Sequence, residues 1–144
     1  MLSLMAGPGE LYHLLWQVAS YSHLMGEDAF VGTPLTAASG SMLIAVLEQP
    51  GLTVAEFSRR IPKTQQTLSQ VVARLEKLGL IERRLGAGRG VGLYLTDAGR
   101  QMAEDAVTRE HEVNARLREL LGAKRAEELT ELLRESRAIL RETR

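Results

Sequence analysis

The stretch that decides the fold runs from Leu52 to Thr96 and reads LTVAEFSRRIPKTQQTLSQVVARLEKLGLIERRLGAGRGVGLYLT. Its Thr-Val-Ala-Glu sequence at residues 53–56 matches a capping box, in which a Thr hydroxyl and a Glu carboxylate satisfy free amides at the start of a helix. The capping box predicts a short helix that ends at about Arg60, because Pro62 interrupts it.

A second helix is predicted directly after this one. Thr64 can cap its start, and the helix would run from Gln65 to about Leu78, where Gly79 stops it. At about 100° per residue the helix separates into two faces. The aliphatic face holds Leu68, Val71, Val72, Leu75 and Leu78. The opposite face holds Gln66, Ser69, Gln70, Ala73 and Lys77. One side is thus predicted to pack, and the other is free to make contacts.

Two segments with alternating apolar residues, 80–84 and 91–95, predict a pair of strands joined by a glycine-rich, basic tip at residues 85–90. The glycines also resemble a phosphate-cradling loop, but the strand, glycine turn, Lys and helix order of a nucleotide site is missing from the sequence. Helix, turn, helix and hairpin in this order are typical of a winged helix-turn-helix. The predicted fold is therefore mainly α with a small β-hairpin wing, and the predicted partner is double-stranded DNA.

The charge distribution agrees with this interpretation, although the net charge is zero. Residues 1–58 contain five acidic and no basic side chains, whereas residues 59–100 contain nine basic and three acidic ones. Residues 101–144 are nearly balanced, with nine basic and ten acidic side chains. Positive charge gathered in one segment can attract a polyanion even on a neutral molecule. A solvated basic surface without a partner would show the same pattern.

The free face of the second helix carries residue types that suit base recognition. Gln can pair bidentately with adenine in the major groove, Ser can donate or accept, and a small residue such as Ala73 permits close approach. Arg74 and Lys77 lie further along and are better placed for phosphates, which position a protein without specifying sequence. Any one of these residues could equally belong to an ordinary polar surface, so the prediction depends on the set.

Composition limits the remaining possibilities. The chain has 144 residues, the size of one ordinary domain, and no cysteine, which excludes thiol sensing and Cys-ligated zinc. The start MLSLMAGPGE lacks the basic leader and apolar core of a secretory signal, and no apolar run approaches ~20 residues. We therefore expect a cytoplasmic protein.

The terminal segments predict helices with large apolar surfaces. Residues 10–25 form the first of them, residues 26–34 a connection with Gly and Pro, and residues 35–47 a small, mostly uncharged helix. Two amphipathic helices, separated at Gly122, fill residues 101–144. We expect a homodimer on a palindromic operator, although an intramolecular bundle is the alternative. The expected dimer contacts are Leu11, Leu14, Val18, Val113, Leu117, Leu120, Leu129, Leu133 and Leu140.

The segment from Leu35 to Gly99 resembles the MarR family of transcriptional regulators. RLEKLGLIERR at residues 74–84 and LTDAGR at residues 95–100 are its strongest signatures. The resemblance covers nearly the whole chain as a single MarR-like unit. It implies a DNA-binding lobe at residues 35–100, dimerisation helices at residues 9–25 and 101–144, and repression as the mode of regulation. It also implies that Gln65, Gln66, Thr67, Ser69 and Gln70 lie in the base-reading segment and that Arg89, at the wing tip, enters the minor groove. Together with Arg74, Lys77 and Arg84, these are the candidate DNA-binding residues.

The wing tip departs from the family pattern at one position. Relatives commonly carry Asp-x-Arg there, with the Asp bracing the Arg, whereas this chain has Ala87-Gly88-Arg89. Glycine on both sides leaves Arg89 more conformational freedom to lose on binding. We therefore expect Arg89 to contribute less to DNA binding than the motif suggests.

The family also implies a small aromatic effector, for which Tyr12, Trp16 and Tyr21 are candidate contacts, although aromatic residues on a helix more often belong to a core or an interface. His13 and His23 are ten residues apart and form no recognisable metal motif. No catalytic motif is recognisable either, so we expect neither an enzyme nor a cofactor.

Two other interpretations remain open at the level of sequence. One is a dimeric helical module that binds a protein or a ligand but no specific DNA. The other is a winged-helix regulator of a different family, which the arrangement of the terminal helices would distinguish. Salt-dependent binding with a sequence preference would separate a DNA reader from the interaction module.

Overall fold

The computed structural model describes residues 9–85 and 90–143. Its elements, in chain order, are six helices and one hairpin: α1 Glu10–Ala29, α2 Ala37–Glu48, α3 Val54–Arg60, α4 Gln65–Lys77, β1 Ile81–Leu85, β2 Val91–Leu95, α5 Asp97–Leu121 and α6 Ala123–Arg141. The strands pair antiparallel, from Ile81 opposite Leu95 to Leu85 opposite Val91. The predicted mainly helical fold with a hairpin wing is confirmed. The chain forms two compact units, residues 1–110 and 111–144.

The core of the first unit lies between α2, α3, α4, the hairpin and the first half of α5. Its most deeply buried apolar side chains are Phe30, Met42, Leu43, Val46, Phe57, Val72, Leu75, Leu93, Ala103 and Ala106. Both predicted N-terminal caps form, because Thr53 and Glu56 build the capping box of α3, and Thr64 caps α4. The local sequence and the core therefore favour the same elements.

Helix α1 continues four residues beyond its predicted end at Met25 and includes Gly26. Tertiary contacts explain the extension. The carboxylate of Glu27 accepts a hydrogen bond from the amide of Ala37 at 3.2 Å. Arg109 donates to the carbonyl of Ala29 at 2.7 Å, so a cation meets the negative end of the helix.

Three smaller boundaries also differ from the sequence prediction. Helix α2 begins at Ala37 and not at residue 35, because Thr36 and Ser39 form a capping box. Strand β1 begins at Ile81, since Leu80 is held in the turn before it. Leu78, predicted to pack, is the C-cap of α4 and is 41% exposed.

A tight joint connects the end of α4, the hairpin and the start of α5. Gly79 adopts a φ of +75°, which ends α4 and turns the chain into β1. The Thr96 hydroxyl donates to the Gly79 carbonyl at 2.6 Å, and the Thr96 amide donates to the Leu80 carbonyl at 3.1 Å. The Gly99 amide donates to the Thr96 hydroxyl oxygen at 3.0 Å. The two signature sequences, RLEKLGLIERR and LTDAGR, therefore meet in this joint.

The connection between α2 and α3 makes two backbone hydrogen bonds to strand β2. The amide of Gly51 donates to the carbonyl of Leu93 at 2.8 Å, and the amide of Leu93 donates to the carbonyl of Leu52 at 2.9 Å. A Cβ on Gly92 would lie 2.5 Å from the Gly51 carbonyl oxygen. Strand β2 is thus fixed to the helical part of the lobe as well as to β1.

The second unit, residues 111–144, contains the end of α5 and helix α6, with Gly122 between them at a φ of +85°. Ala126 is buried, and Val113, Leu117 and Leu129 are half-buried. Several large apolar side chains of this unit are exposed: Leu120, Leu132, Leu133, Ile139 and Leu140. In the described parts of the chain, no helix has the length and apolar character needed to cross a membrane.

The close contact at Gly99 predicts that one added methyl group lowers the stability of the protein. A Cβ on Gly99 would lie 1.9 Å from the Leu80 carbonyl oxygen, so α5 would have to move away from the hairpin. We expect Gly99→Ala to lower the free energy of unfolding by about 1–3 kcal/mol, measured by urea denaturation.

Gly26→Ala is the matched control, because it is also a helical glycine but its added Cβ would lie 3.5 Å from the nearest atom, Ala37 Cβ. This change should be neutral or stabilise by up to about 1 kcal/mol. Equal stability of Gly99→Ala and the wild-type protein would contradict the role of the joint.

Candidate nucleic-acid interface

Helix α4 is held against the lobe by its aliphatic face. Leu68, Val72 and Leu75 are buried, and Val71 is half-buried, as the sequence predicted. At the start of the helix, the Thr64 hydroxyl oxygen accepts a hydrogen bond from the Thr67 amide at 3.1 Å. Packing and capping therefore fix the orientation of the opposite face.

That opposite face presents glutamine side chains to solvent. Gln66 and Gln70 lie on this face, and Gln65 lies beside it. All three are exposed, and their side chains make no hydrogen bond to any other residue in the described ranges. The amides are free to pair with groups outside the chain. Each amide offers both a donor and an acceptor, which bidentate pairing with a base edge requires.

Thr67 and Ser69 were also predicted to lie in the base-reading segment. The Thr67 hydroxyl accepts a hydrogen bond from the Thr64 hydroxyl at 2.9 Å, so it belongs to the cap. Ser69 is half-buried. Both are less available to a partner than the three glutamines.

Cationic side chains flank the glutamine face. Arg74 and Lys77 are exposed near the end of α4, and Arg74 comes within 3.5 Å of the Pro34 carbonyl oxygen. Lys77 makes no ion pair within the described parts of the chain. Arg59 and Lys63, from α3 and the turn, are exposed too, and the sequence analysis had not selected them as site residues.

The cations of strand β1 are paired with carboxylates. The Arg83 guanidinium contacts the Glu76 carboxylate of α4 at 2.8 Å. The Arg84 guanidinium binds the Glu82 carboxylate and lies 4.5 Å from the centroid of the Tyr94 ring. Arg89 lies outside the described residues, and so do the other three residues from 86 to 88.

Glu82 and Tyr94 were not selected by the sequence analysis. The alternation of strand β1 could have placed Glu82 and Arg84 on one face, since side chains two residues apart in a strand point to the same side. Tyr94 could not be assigned to them from sequence, because its position depends on the pairing of Glu82 with Tyr94 across the hairpin.

The candidate effector residues on α1 are exposed but do not share one face. Tyr12 and Trp16 are one turn apart and lie on the same side, whereas Tyr21 is nine residues after Tyr12, about 180° around the helix. The Tyr12 and His13 rings are 5.4 Å apart and tilted. Within one chain, the structure brings together Tyr12 and Trp16 and separates Tyr21 from them.

A metal site is not evident in the part of the chain that the structure describes, because no group of three or more His, Asp or Glu side chains is close enough to hold an ion. The polar and basic surface formed by α4, the preceding turn and β1 is therefore the chemically distinctive surface of the first unit. Its groups suit hydrogen bonding to base edges and pairing with phosphates.

These elements form a winged helix-turn-helix lobe within the first unit, with α3 and α4 as its helix pair and β1 and β2 as its wing. Comparison with family models identifies the lobe further. The model of the MarR family matches residues 33–90, which confirms the resemblance predicted from the sequence. The lobe is therefore similar to the MarR family of transcriptional regulators.

Solved structures extend the similarity to most of the chain. The Mycobacterium tuberculosis MarR family protein Rv2887 in complex with DNA is 27% identical, with a TM-score of 0.71, and the match covers 87% of this chain and 95% of that one. The same protein with p-aminosalicylic acid gives 27% identity, a TM-score of 0.71, and coverage of 87% and 96%. A mutant MarR from E. coli, complexed with operator DNA, gives 20% identity, a TM-score of 0.84, and coverage of 94% and 99%, which shows a common fold. A comparison with curated proteins gave no match.

The hydrogen bond that caps α4 predicts a change in stability when Thr64 is replaced. Thr64→Ala removes the acceptor for the Thr67 amide, so the free energy of unfolding should fall by about 1 kcal/mol. Thr64→Ser keeps the hydroxyl and is the control. Urea denaturation of the three proteins measures the difference, and equal losses in both variants would argue against the capping hydrogen bond.

Proposed function

We propose that this protein is a sequence-specific transcriptional regulator that binds a palindromic DNA operator as a homodimer and acts as a ligand-responsive repressor. The observation that carries the proposal is the exposed face of α4, where three glutamine side chains are free on a helix fixed by its cap and its aliphatic side. A major-groove reading helix needs this separation of packing and contact faces.

The roles of individual residues follow from their chemistry and exposure. Gln65, Gln66 and Gln70 would contact base edges, with Thr67 and Ser69 beside them. Arg74, Lys77 and Arg84 would contact phosphates, and Arg89 would enter the minor groove from the wing tip. The DNA-binding lobe would then occupy residues 35–100, and the flanking segments 9–25 and 101–144 would form the dimer.

The apolar surface of α1 supports a dimer. No residue of α1 is buried, although Leu11, Leu14 and Val18 share one face and are 73%, 48% and 53% exposed. Exposed apolar side chains that are contiguous along a helix indicate an interaction surface. In the second unit Leu120, Leu133 and Leu140 are exposed as well. A second copy of the chain would bury both sets, and its twofold symmetry would match a palindrome.

The similarity to Rv2887 supports two proposed ligands, DNA and a small aromatic effector. That protein has been solved with DNA and with p-aminosalicylic acid, at 27% identity to this chain. We therefore propose a small aromatic effector, with Tyr12 and Trp16 as its first candidate contacts. Such an effector would release DNA if it prefers a conformer that cannot bind the operator. A regulator of this kind would act in the cytoplasm and would not catalyse a reaction.

Selection of bound duplexes from a random DNA pool at ~150 mM salt tests the function directly. We expect an enriched palindrome that is bound at least ~10³-fold more tightly than scrambled DNA. Absence of enrichment, with or without weak binding to all sequences, would contradict specific recognition and favour the protein- or ligand-interaction module.

Two substitutions separate base contacts from phosphate contacts. Gln66→Ala should cost about 1–3 kcal/mol on the operator and relax the preference at one base pair. Lys77→Ala should weaken binding to all sequences alike and lower the salt slope by about 1. Affinities on operator and scrambled duplexes at several salt concentrations measure both. An equal loss on the two duplexes for Gln66→Ala would contradict its proposed base contact.

The dimer is tested by placing a charge on α1. Leu11→Glu should convert a dimer into a monomer, because burying an unpaired carboxylate in the interface is strongly unfavourable. Val31→Glu is the control, since Val31 is also exposed, at 76%, but lies after α1. Sedimentation velocity gives the oligomeric state and circular dichroism the helix content. A wild-type monomer, or a Leu11→Glu dimer, would contradict this interface.

A further inference from the structure

Arg84 at the base of the wing is held by two different side chains. Its Nε donates to Glu82 Oε1 at 2.8 Å, and its Nη2 donates to the same oxygen. Its guanidinium carbon lies 4.5 Å from the centroid of the Tyr94 ring, a distance at which a cation and an aromatic ring attract each other. Arg84 and Glu82 are about half-exposed, so the guanidinium remains accessible to a partner.

The register of the hairpin produces this arrangement. Glu82 lies directly opposite Tyr94, and Arg84 lies opposite Gly92. Because Gly92 has no side chain, the Arg84 side chain can extend diagonally to Tyr94. Residue 92 must itself be glycine, since a Cβ there would lie 2.5 Å from the Gly51 carbonyl oxygen of the connection between α2 and α3. A side chain therefore cannot be introduced opposite Arg84 without displacing that connection.

We propose that Glu82 and Tyr94 are positioning residues that hold Arg84 ready to bind a DNA phosphate at the base of the wing. The inference rests on the proposed function, in which Arg84 contacts a DNA phosphate, and it adds the two side chains that hold Arg84 in place. The acid-x-Arg spacing that is missing at residues 87–89 is present at residues 82–84, within a strand. Among the described residues, Arg84 is the arginine that combines this spacing with an ion pair to the acid.

Two effects of Glu82 on DNA binding have opposite signs, which makes the inference testable. A carboxylate close to the DNA repels phosphates, so its removal alone should strengthen binding. A carboxylate that fixes an arginine lowers the conformational freedom lost on binding, so its removal should weaken binding. If Glu82 holds Arg84 in place for DNA, the affinity lost by freeing Arg84 must exceed the affinity gained by removing the repulsion.

The experiment compares DNA affinities of the full chain and its variants on the selected operator. Glu82→Gln should weaken binding about two- to fivefold, as expected for a partly exposed ion pair and cation–π contact. Glu104→Gln, which removes an equally negative exposed residue of α5, controls for the bare charge change. Tyr94→Leu should cause a similar loss, and Tyr94→Phe should restore affinity because it keeps the ring. In an Arg84→Ala background, Glu82→Gln should no longer weaken binding.

A second measurement does not depend on DNA. Nitrogen-15 relaxation of the Arg84 Nε–H in the free protein should show an ordered side chain that becomes disordered in Glu82→Gln and in Tyr94→Leu. If the wild-type protein binds the operator and Glu82→Gln binds equally well or more tightly, the brace is overturned and the proposed function stands. If the wild-type protein binds no duplex, the proposed function fails, and the role of Arg84 in DNA binding fails with it.

Discussion

The close contact between the Leu80 carbonyl and the start of α5 is the constraint on which the lobe depends. Thr96 donates to the carbonyls of Gly79 and Leu80, and its hydroxyl oxygen in turn accepts from the amide of Gly99. At this one place the chain ends α4, begins β1, ends β2 and begins α5. Only a glycine fits at residue 99 because a Cβ would meet the Leu80 carbonyl oxygen. The wing and α4 are therefore joined through backbone contacts, which are less adaptable than side-chain packing.

The polar surface of the lobe divides into free and restrained side chains. The glutamine side chains of α4 make no hydrogen bond to another described residue, so their amides are free to pair with an external group. Arg83 and Arg84 of the wing are instead held by carboxylates, and Arg84 also by Tyr94. A restrained cation loses less entropy on binding but gains less from electrostatics. Such a division suits a surface in which the helix specifies sequence and the wing positions the protein.

The apolar side chains of α1 and of residues 111–144 raise a separate issue of stability. Each set is exposed within its own unit. The carboxyl end of α1 is fastened to the lobe by Glu27, Phe30 and Arg109, whereas the earlier part has no buried residue. The hydrophobic effect favours covering such surfaces, and a second copy is the simplest partner that could do so in a symmetric way. Assembly and folding of this protein are then expected to be coupled.

The sequence by itself determined the order of the elements, the caps of α3 and α4 and the two faces of α4, because these depend on contacts between near neighbours in the chain. Its motifs also carry the resemblance of the lobe to the MarR family. The sequence placed the end of α1 at Met25 and Leu78 in the packing face, and both differ in the structure, since Glu27, Arg109 and the C-cap position act there. Only the tertiary structure decided that Tyr94 lies against Arg84 and that the Leu80 carbonyl leaves no room for a Cβ at residue 99. Those relations depend on strand register and on the packing of α5 against the hairpin, which bring together residues that are far apart in the sequence.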